Sequence, residues 1–587
     1  MSSTNDQIAG LFDDMATLLQ MKGDSIFKVR AYQRAARTVE QLPMSLEKAV
    51  REGEDLKAIP GIGDAISKKI QEMVTTGRVD TYERLKSELP RGSLTFMNIP
   101  GVGPKTAVLI ARETGAGTVE ELERAILQGR LADVPRMGEK TAQNILRHVR
   151  RMRSKKSRVP IGDALPMAEE VISQLHQACP GLDRVSPAGS LRRSKETVGD
   201  IDIMGTSDDP DAVMDALVGL PQVREVLGHG SKKSSVVVQS GLQIDLRMVD
   251  ADSWGAMLQY FTGSQQHSIL LRDYANQRGL SLNEYGISDL ESGALEKQAD
   301  EEGFYRRLGL PLIPPEIREG MWELDLAREG RLPRLVEIGD LRGDLHVHSN
   351  WTDGADSLEA MVQAAAAAGL EYVAITDRSP GRGTSAGLSS KDLLDQVRTL
   401  ASLGERCGIR VLTGCEVEIL PDGSLDHPED VLQQLDIVVA SIHSALGQSP
   451  AEMTRRIVKA MADPTVDIVG HPTCRMVGSR ESEGLDVEAL FAAAAATGTA
   501  MEINGNPNRL DLKDSHIQRA VDLGVPLAIG SDARCIADLA HTRFGVAMAR
   551  RGWCEAGHVL NTLPAPDLLA YLGTPKPHRR SLLAGRG

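Results

Sequence analysis

From Asp344 to about Leu572, short apolar runs (YVAIT, IVVASI, DIVG, AMEIN, PLAIG) alternate with Ala-rich segments such as SLEAMVQAAAAAG. Short apolar runs without polar alternation suit strands covered on both faces, and Ala is the strongest helix former. The rhythm therefore confines this part of the chain to parallel strands joined by helices, a distorted βα barrel. Upstream the rhythm is different. Three similar segments, LKAIPGIGDAISKKI (56–70), FMNIPGVGPKTAVLI (96–110) and LADVPRMGEKTAQNI (131–145), each read as helix, tight turn, helix. Between Val185 and Val249 the β-branched and alternating runs IDIM, SSVVVQ and QIDLRMV read as strands of one sheet. A chain of 587 residues with three such rhythms is multidomain: helical, then α+β, then barrel.

Boundaries follow the punctuation. The basic run RHVRRMRSKKSR (147–158) leads to a break between Pro160 and Pro166, and LGLPLIPPEI (308–317) is a Pro-rich linker. A second linker-like helix and loop end at Gly339. The expected spans are 1–90 and 91–158, both helical, 159–260 for the sheet domain, 261–318 for a following helical part, 319–341 for the linker and 342–575 for the barrel. No stretch reaches the roughly 20 apolar residues of a membrane span, and the start lacks a secretory signal, so a cytoplasmic address is expected. Six cysteines are scattered without a CxxC pair, which suits reduced thiols better than a disulfide or zinc framework.

Net charge is −14 overall, but residues 1–158 carry 27 Lys and Arg against 20 Asp and Glu, a net of +7. In GIG and GVG, Gly61, Gly63, Gly101 and Gly103 let the backbone turn while the next helix starts with free N–H groups outward, a seat for a phosphate oxygen. Sequence-independent DNA binding uses this kind of backbone contact. One copy would read as an ordinary corner; two in a basic region read as DNA binding. The third copy departs, with Arg136 and Met137 in place of the first glycine and the aliphatic residue.

The segment AGSLRRSKETVGDIDIM (188–204) carries chemistry. On a strand, alternate side chains share a face, so Asp200 and Asp202 project together, and Asp245 of QIDLR, on another predicted strand, can complete a three-carboxylate cluster. Two divalent ions held there can activate a hydroxyl and stabilise in-line phosphoryl transfer; Mg2+ is the natural ion. Gly189 and Ser190 would supply a turn for a triphosphate and Arg193 would neutralise its charge.

Together with QYFTGSQQHSILLRDYANQRGLSLNEYGI (259–287), these residues resemble the family X DNA polymerases over residues 1 to about 320. The resemblance implies a helix-hairpin-helix N-terminal region, a nucleotidyltransferase palm at 159–260 and a nucleotide-selecting thumb at 261–318. It implies that Asp200 and Asp202 hold both metals and that Asp245 ligates the catalytic one and acts on the primer 3′ hydroxyl. Ser190, Arg193 and Gly199 match triphosphate-binding positions; Tyr260, Phe261 and Gly263 match the segment beside the incoming sugar. Ser268 stands where the family has an asparagine touching the nucleotide. The partners implied are gapped or primed DNA and deoxynucleoside triphosphates, and a bacterial repair enzyme acting as a monomer at the nucleoid. The family also places an abasic-site lyase in the first helical domain, and Lys69 aligns with its Schiff-base lysine. The other reading of Lys69 is a surface lysine on DNA phosphate.

In GDLHVHSNWTDG (343–354), His346 and His348 lie two residues apart on a predicted strand, facing one way. Glu416, His443, His471 and Asp532 each stand at the end of a later predicted strand. Such ligands at the mouth of a barrel can hold Zn2+ or Mn2+ for phosphodiester hydrolysis. This part resembles a PHP (polymerase and histidinol phosphatase) domain. That family has nine ligands for three metals; this chain keeps His346, His348, Asp353, Glu416, His443, His471 and Asp532, while Arg378 and Arg534 replace two histidines. Both missing histidines serve one metal together with the residue at Asp353, so two ions rather than three are expected. Two readings stand. Arg378 and Arg534 clamp the scissile phosphate of a 3′–5′ exonuclease, or the domain is a weakened scaffold for the polymerase.

Overall fold

Helices Thr4–Lys22 and Ile26–Gln41 open the chain and close over Ile8, Phe12, Met15, Val29 and Val39. The computed structural model describes residues 4–42, 46–97, 99, 102–131, 137–154, 158–381, 387–480 and 484–583. The chain divides into two compact units, 1–156 and 157–587. In the first, a second apolar cluster gathers Phe96, Ile110, Leu122 and Ile145. Both glycine hairpins close with the same backbone bond, Ile62 N–H to the Ile59 carbonyl and Val102 N–H to the Ile99 carbonyl, each 3.0 Å. Ile62 and Val102 are buried, and Gly63 and Gly103 cap the helices Asp64–Thr76 and Pro104–Thr114. Gly61 sits at φ +90°, a conformation only glycine adopts without strain. Gly101 and Arg136 lie outside the described residues, whereas Met137 is buried. The basic run 147–158 is no connector for most of its length: helix Glu139–Ser154 absorbs it.

After a two-residue strand, Val159–Pro160, the second unit continues with a helix, Ile161–Ala178, that contains Pro166. The break expected across 160–166 therefore narrows to Pro160, and Pro166 costs the helix one hydrogen bond at its sixth residue. A five-stranded sheet follows: β1 (Leu182–Pro187), β2 (Ile201–Ser207), β3 (Val223–Gly228), β4 (Lys233–Val238) and β5 (Gln243–Met248), in the order β1-β2-β5-β4-β3. Only β2 and β5 pair in parallel. Ile201, Ile203, Ile244 and Leu246 join the main core, whereas Met204 packs on Trp254 and Met257 of helix Trp254–Thr262. Helix Gln265–Asn276 and a small antiparallel sheet, β6 (Leu280–Asn283), β7 (Gly286–Asp289) and β8 (Leu295–Glu296), enclose Leu271, Ile287, Phe304 and Tyr305.

Seven parallel strands then follow in strict order: β9 (Gly343–Val347), β10 (Tyr372–Ile375), β11 (Arg410–Glu418), β12 (Ile437–Ser441), β13 (Ile468–Val469), β14 (Ala500–Asn504) and β15 (Leu527–Gly530). Most are buried along their whole length, which is why they read as unbroken apolar runs. The sheet closes beyond β9 and β15, where His348 N–H donates to the Ala533 carbonyl at 2.9 Å. At the opposite end the buried Asn561 amide donates to the Gly343 and Ile529 carbonyls and its oxygen accepts from Ile529 N–H, sewing first strand to last. The 319–341 stretch, expected as a linker, is packed: Glu323, Leu335 and Val336 are buried, and Val336 N–H bonds the Cys554 carbonyl at 2.9 Å.

Candidate active sites

Parallel pairing of β2 with β5 puts Asp202 directly opposite Asp245. Asp200 stands just ahead of β2, exposed. Burial, with Asp200 and Asp245 beside it, pushes the Asp202 carboxyl up to about 7. Burial acts on Asp245 in the same sense, but Lys233 Nζ at 2.7 Å and the Gln243 amide at 2.5 Å hold it below its ordinary value. Gly189 is needed for this approach. At φ +60° its Cβ would stand 2.6 Å from Asp202 Oδ2, so a side chain there would collide with the carboxylate. Rather than an open turn, Gly189 and Ser190 start a one-turn helix, Gly189–Arg192, in which Leu191 is buried and the other three residues are partly buried.

That turn is held from below. Arg192 grips Glu301 with both terminal nitrogens (3.0 and 2.6 Å) and donates to Thr262 Oγ1 at 2.6 Å. Arg193 donates to the Thr262 carbonyl at 2.5 Å and to Glu319 at 3.4 Å, next to Gly263, where a Cβ would lie 3.3 Å from its guanidinium. Tyr260 and Phe261 meet edge to face at 5.0 Å, and the Arg247 guanidinium covers Phe261 at 4.4 Å. Ser268 lies partly buried in helix Gln265–Asn276, its N–H bonded to the Ser264 carbonyl. Gly199 is exposed. In the first unit Lys69 is bonded to the Ala65 carbonyl at 3.2 Å, 5.9 Å from the centre of the Tyr32 ring.

At the C-terminal mouth of the barrel, Glu416 is the hub. Its carboxylate lies 3.0 Å from His471 Nε2, 3.3 Å from His443 Nε2, 3.5 Å from His346 Nε2 and 3.7 Å from His348 Nε2. Asp532 Oδ1 is 3.3 Å from His348 Nε2. Two triplets of candidate ligand atoms result, His346–His348–Asp532 and Glu416–His443–His471, each within 4.8 Å. His346 Nε2, both His348 ring nitrogens, His471 Nδ1 and Asp532 Oδ1 are buried without a hydrogen-bond partner among the described residues. Burial opposes ionisation of Glu416, yet His443, Arg378 and His346 hold it well below its usual value. Burial and then Arg509 lower His471 to about 4, leaving a neutral imidazole. His471 (φ +30°) and Asp532 (φ +53°) both occupy the left-handed region, which costs a non-glycine residue of order 1–3 kcal/mol.

Arg378 and Arg534 converge on Asp353. Arg378 reaches it at 3.3 Å while donating through Nε to Glu416 at 2.9 Å; Arg534 donates to it at 3.0 Å and pairs with Asp532 at 2.9 Å. Three residues not singled out from the sequence complete the site. Glu502 receives His346 Nδ1 at 2.6 Å, Glu418 receives His443 Nδ1 at 3.0 Å, and Arg509 lies 3.5 Å from Asp532. The spacing of Glu416 and Glu418, two apart on one strand face, was a usable signal for Glu418.

Over 568 residues, 96% of this chain and 98% of the relative, the sequence is 37% identical to "DNA polymerase/3'-5' exonuclease PolX" of Bacillus subtilis (strain 168). The chain belongs to the PolX family. Residues 3–79 match the helix-hairpin-helix domain, 93–151 the SAM-like helix-hairpin-helix tandem, 257–319 the DNA polymerase beta thumb and 344–506 the PHP domain. The barrel part alone is 31% identical over 215 residues to a "Probable phosphatase" of Syntrophotalea carbinolica, covering 35% of this chain and 84% of that one. It is also 29% identical over 230 residues to "Probable phosphatase Teth514_1060" of Thermoanaerobacter sp., covering 37% and 89%.

Proposed function

We propose that the chain extends a DNA primer against a template, filling short gaps, through Asp200, Asp202 and Asp245, and that its barrel trims 3′ ends. The carrying observation is the in-register pair Asp202–Asp245 in a chain of the PolX family. A small-molecule nucleotidyltransferase would share the carboxylates but leave the two glycine hairpins without a purpose; those hairpins offer DNA phosphates two helix N-termini. The donor set fits Mg2+: hard carboxylate oxygens, one of which, on Asp202, is held up near 7 until a cation offsets its neighbours. When bound, two such ions supply Lewis-acid stabilisation for in-line phosphoryl transfer. Asp245 faces the primer 3′ hydroxyl, Ser190 and Arg193 hold the triphosphate, and Phe261, kept in place by Arg247, borders the sugar together with Tyr260 and Gly263.

The barrel ligands fit two ions, Mn2+ or Zn2+, with His346, His348, Asp532 and Glu416 for one and Glu416, His443 and His471 for the other. When bound, they supply Lewis acidity for phosphodiester hydrolysis. Glu502 and Glu418 fix the His346 and His443 rings so that each Nε2 points inward. Arg378 and Arg534 carry the charge of a third ion beside Asp353, and each keeps N–H donors beyond those bonds for a phosphate oxygen. A scaffold without hydrolysis is not favoured, because both ligand triplets are intact.

One gapped primer-template tests both activities. With deoxynucleoside triphosphates and Mg2+ the primer should grow, and Asp245→Ala should slow growth at least about a thousandfold. Without triphosphates and with Mn2+ the same primer should shorten, and His471→Ala should stop shortening while sparing extension. An unaltered chain that neither extends nor trims would refute the reading.

A further inference from the structure

A residue from the barrel part of the chain reaches the main chain of Arg193. Helix Thr542–Arg551 packs against β14 and β15 and ends on the 315–319 segment, where Arg550 pairs with Glu316 at 2.7 Å. Its last residue, Arg551, has a side chain only 2% exposed. The guanidinium makes contacts on both sides of a boundary between folds. Nε and one terminal nitrogen donate to Asp514 of the barrel at 3.0 and 2.6 Å. The other donates to the Arg193 carbonyl at 2.8 Å, to Glu319 Oε1 at 2.9 Å and to the Glu316 carbonyl at 3.2 Å. Glu319 Oε1 is the same oxygen that receives Arg193 Nε at 3.4 Å and lies 3.8 Å from Lys195 Nζ.

We propose that Arg551 is a positioning residue of the nucleotide site, holding the Arg193 main chain and sharing the Glu319 carboxylate so that the Arg193 guanidinium stays available to a triphosphate. The inference rests on the reading of Arg193 as a triphosphate contact. A charge count gives the direction. Around Glu319 and Asp514 stand Arg193, Lys195 and Arg551, which leaves one positive charge over for the phosphates, while nearby Arg318 is paired with Glu301 at 2.7 Å. Without Arg551 the count falls to zero, and Glu319 closes on Arg193. A guanidinium is suited to this post because its planar fork serves Asp514 on one edge and three oxygens of the polymerase part, those of Arg193, Glu316 and Glu319, on another, which a lysine ammonium on a single stem cannot do. The coupling also runs outward, since whatever moves helix Thr542–Arg551 moves the floor of the triphosphate site.

The test uses the full chain on a gapped primer-template. Arg551→Met should raise KM for the incoming nucleotide about tenfold and change kcat less than about twofold, the pattern of lost ground-state and transition-state binding alike. Arg551→Lys should recover part of the loss. Arg193→Met should raise KM as well, and the double variant should be no worse than Arg193→Met alone, because the two residues act through one contact. A merely structural Arg551 would lower the melting temperature and the amount of active enzyme while leaving KM unchanged. That result overturns the proposal. If Arg551→Met does not fold, Asp514→Asn, of equal shape, loosens the same guanidinium and should raise KM several-fold; unchanged KM there overturns it equally. Absence of extension by the unaltered chain would instead remove the polymerase reading, and this inference with it.

Discussion

Asp353 is where two guanidinium groups of the barrel mouth converge on one carboxylate. Flanked by Arg378 and Arg534 at 3.3 and 3.0 Å, its carboxylate meets two fixed positive charges where the resemblance to PHP domains leads us to expect a metal with two histidines. Burial opposes its ionisation, but His348, Arg378 and Arg534 lower its pKa. Arginine does not deprotonate and so does not ligate. Mass spectrometry of the native chain loaded with Mn2+ should therefore find two ions, and Arg378→His with Arg534→His together should raise the count to three. Either single change should leave it at two, because one histidine and Asp353 form an incomplete set. Three ions in the unaltered chain would mean that the guanidiniums do not replace one. Six of the seven candidate ligands were legible in the sequence because each lies in or just after a strand beside a recognisable motif, whereas Asp353 stands in a turn and was read from the resemblance alone. Glu502 and Arg509 were not, since AMEIN and NPNRLD carry no motif of their own and join the candidate site only when the barrel sets them beside His346 and Asp532.

At the scale of elements, what was legible depended on whether the partner was local. Strands buried on both faces announce themselves in composition, and all seven barrel strands take their sequence neighbours as partners. Packing of 319–341 depends on residues more than two hundred positions away, such as Cys554 and Arg550, and no local pattern reports that. Pro166 misled for a related reason: a proline marks a break in isolation, but the helix Ile161–Ala178 gains enough from burying Ile161, Ala164, Ala168 and Val171 to tolerate it. The glycine hairpins can be tested as elements. A Cβ at Gly63 would meet nothing within 4 Å, and its φ of −90° suits any residue. Gly63→Asp should therefore keep the fold and, as an N-cap, stabilise helix Asp64–Thr76 by a few tenths of a kcal/mol. An anion at that N-terminus should repel DNA phosphate. Fluorescence anisotropy with a gapped duplex should show weaker binding and a slope of log K against log salt reduced by about 1. Equal affinity and slope would exclude this hairpin from the interface.

Across the whole second unit, one apolar cluster runs without interruption from Ile203 and Leu246 of the five-stranded sheet to Leu490 and Phe491 beside the barrel. Polar contacts cross the same boundary: Arg475 with Glu196 at 2.8 Å, Arg543 with Glu169 at 2.9 Å, and Arg551 with Glu319. Residues 157–587 should accordingly unfold together, and the Asp514–Arg551 pair makes part of that stability depend on pH. Burial raises the Asp514 carboxyl, but Arg551 and Lys195 outweigh it and hold the group far below its ordinary value. A folded pKa below the unfolded one means that the unfolded chain takes up the proton first as pH falls. The contribution is therefore complete above the unfolded value of about 3.9 and is lost progressively beneath it. Melting curves of the unaltered chain and of Asp514→Asn should differ by a constant amount from pH 7 to about 5, and the gap should shrink between about 4 and 3. A gap that stays constant throughout that range would show that Arg551 and Asp514 do not stabilise the joint through their charges.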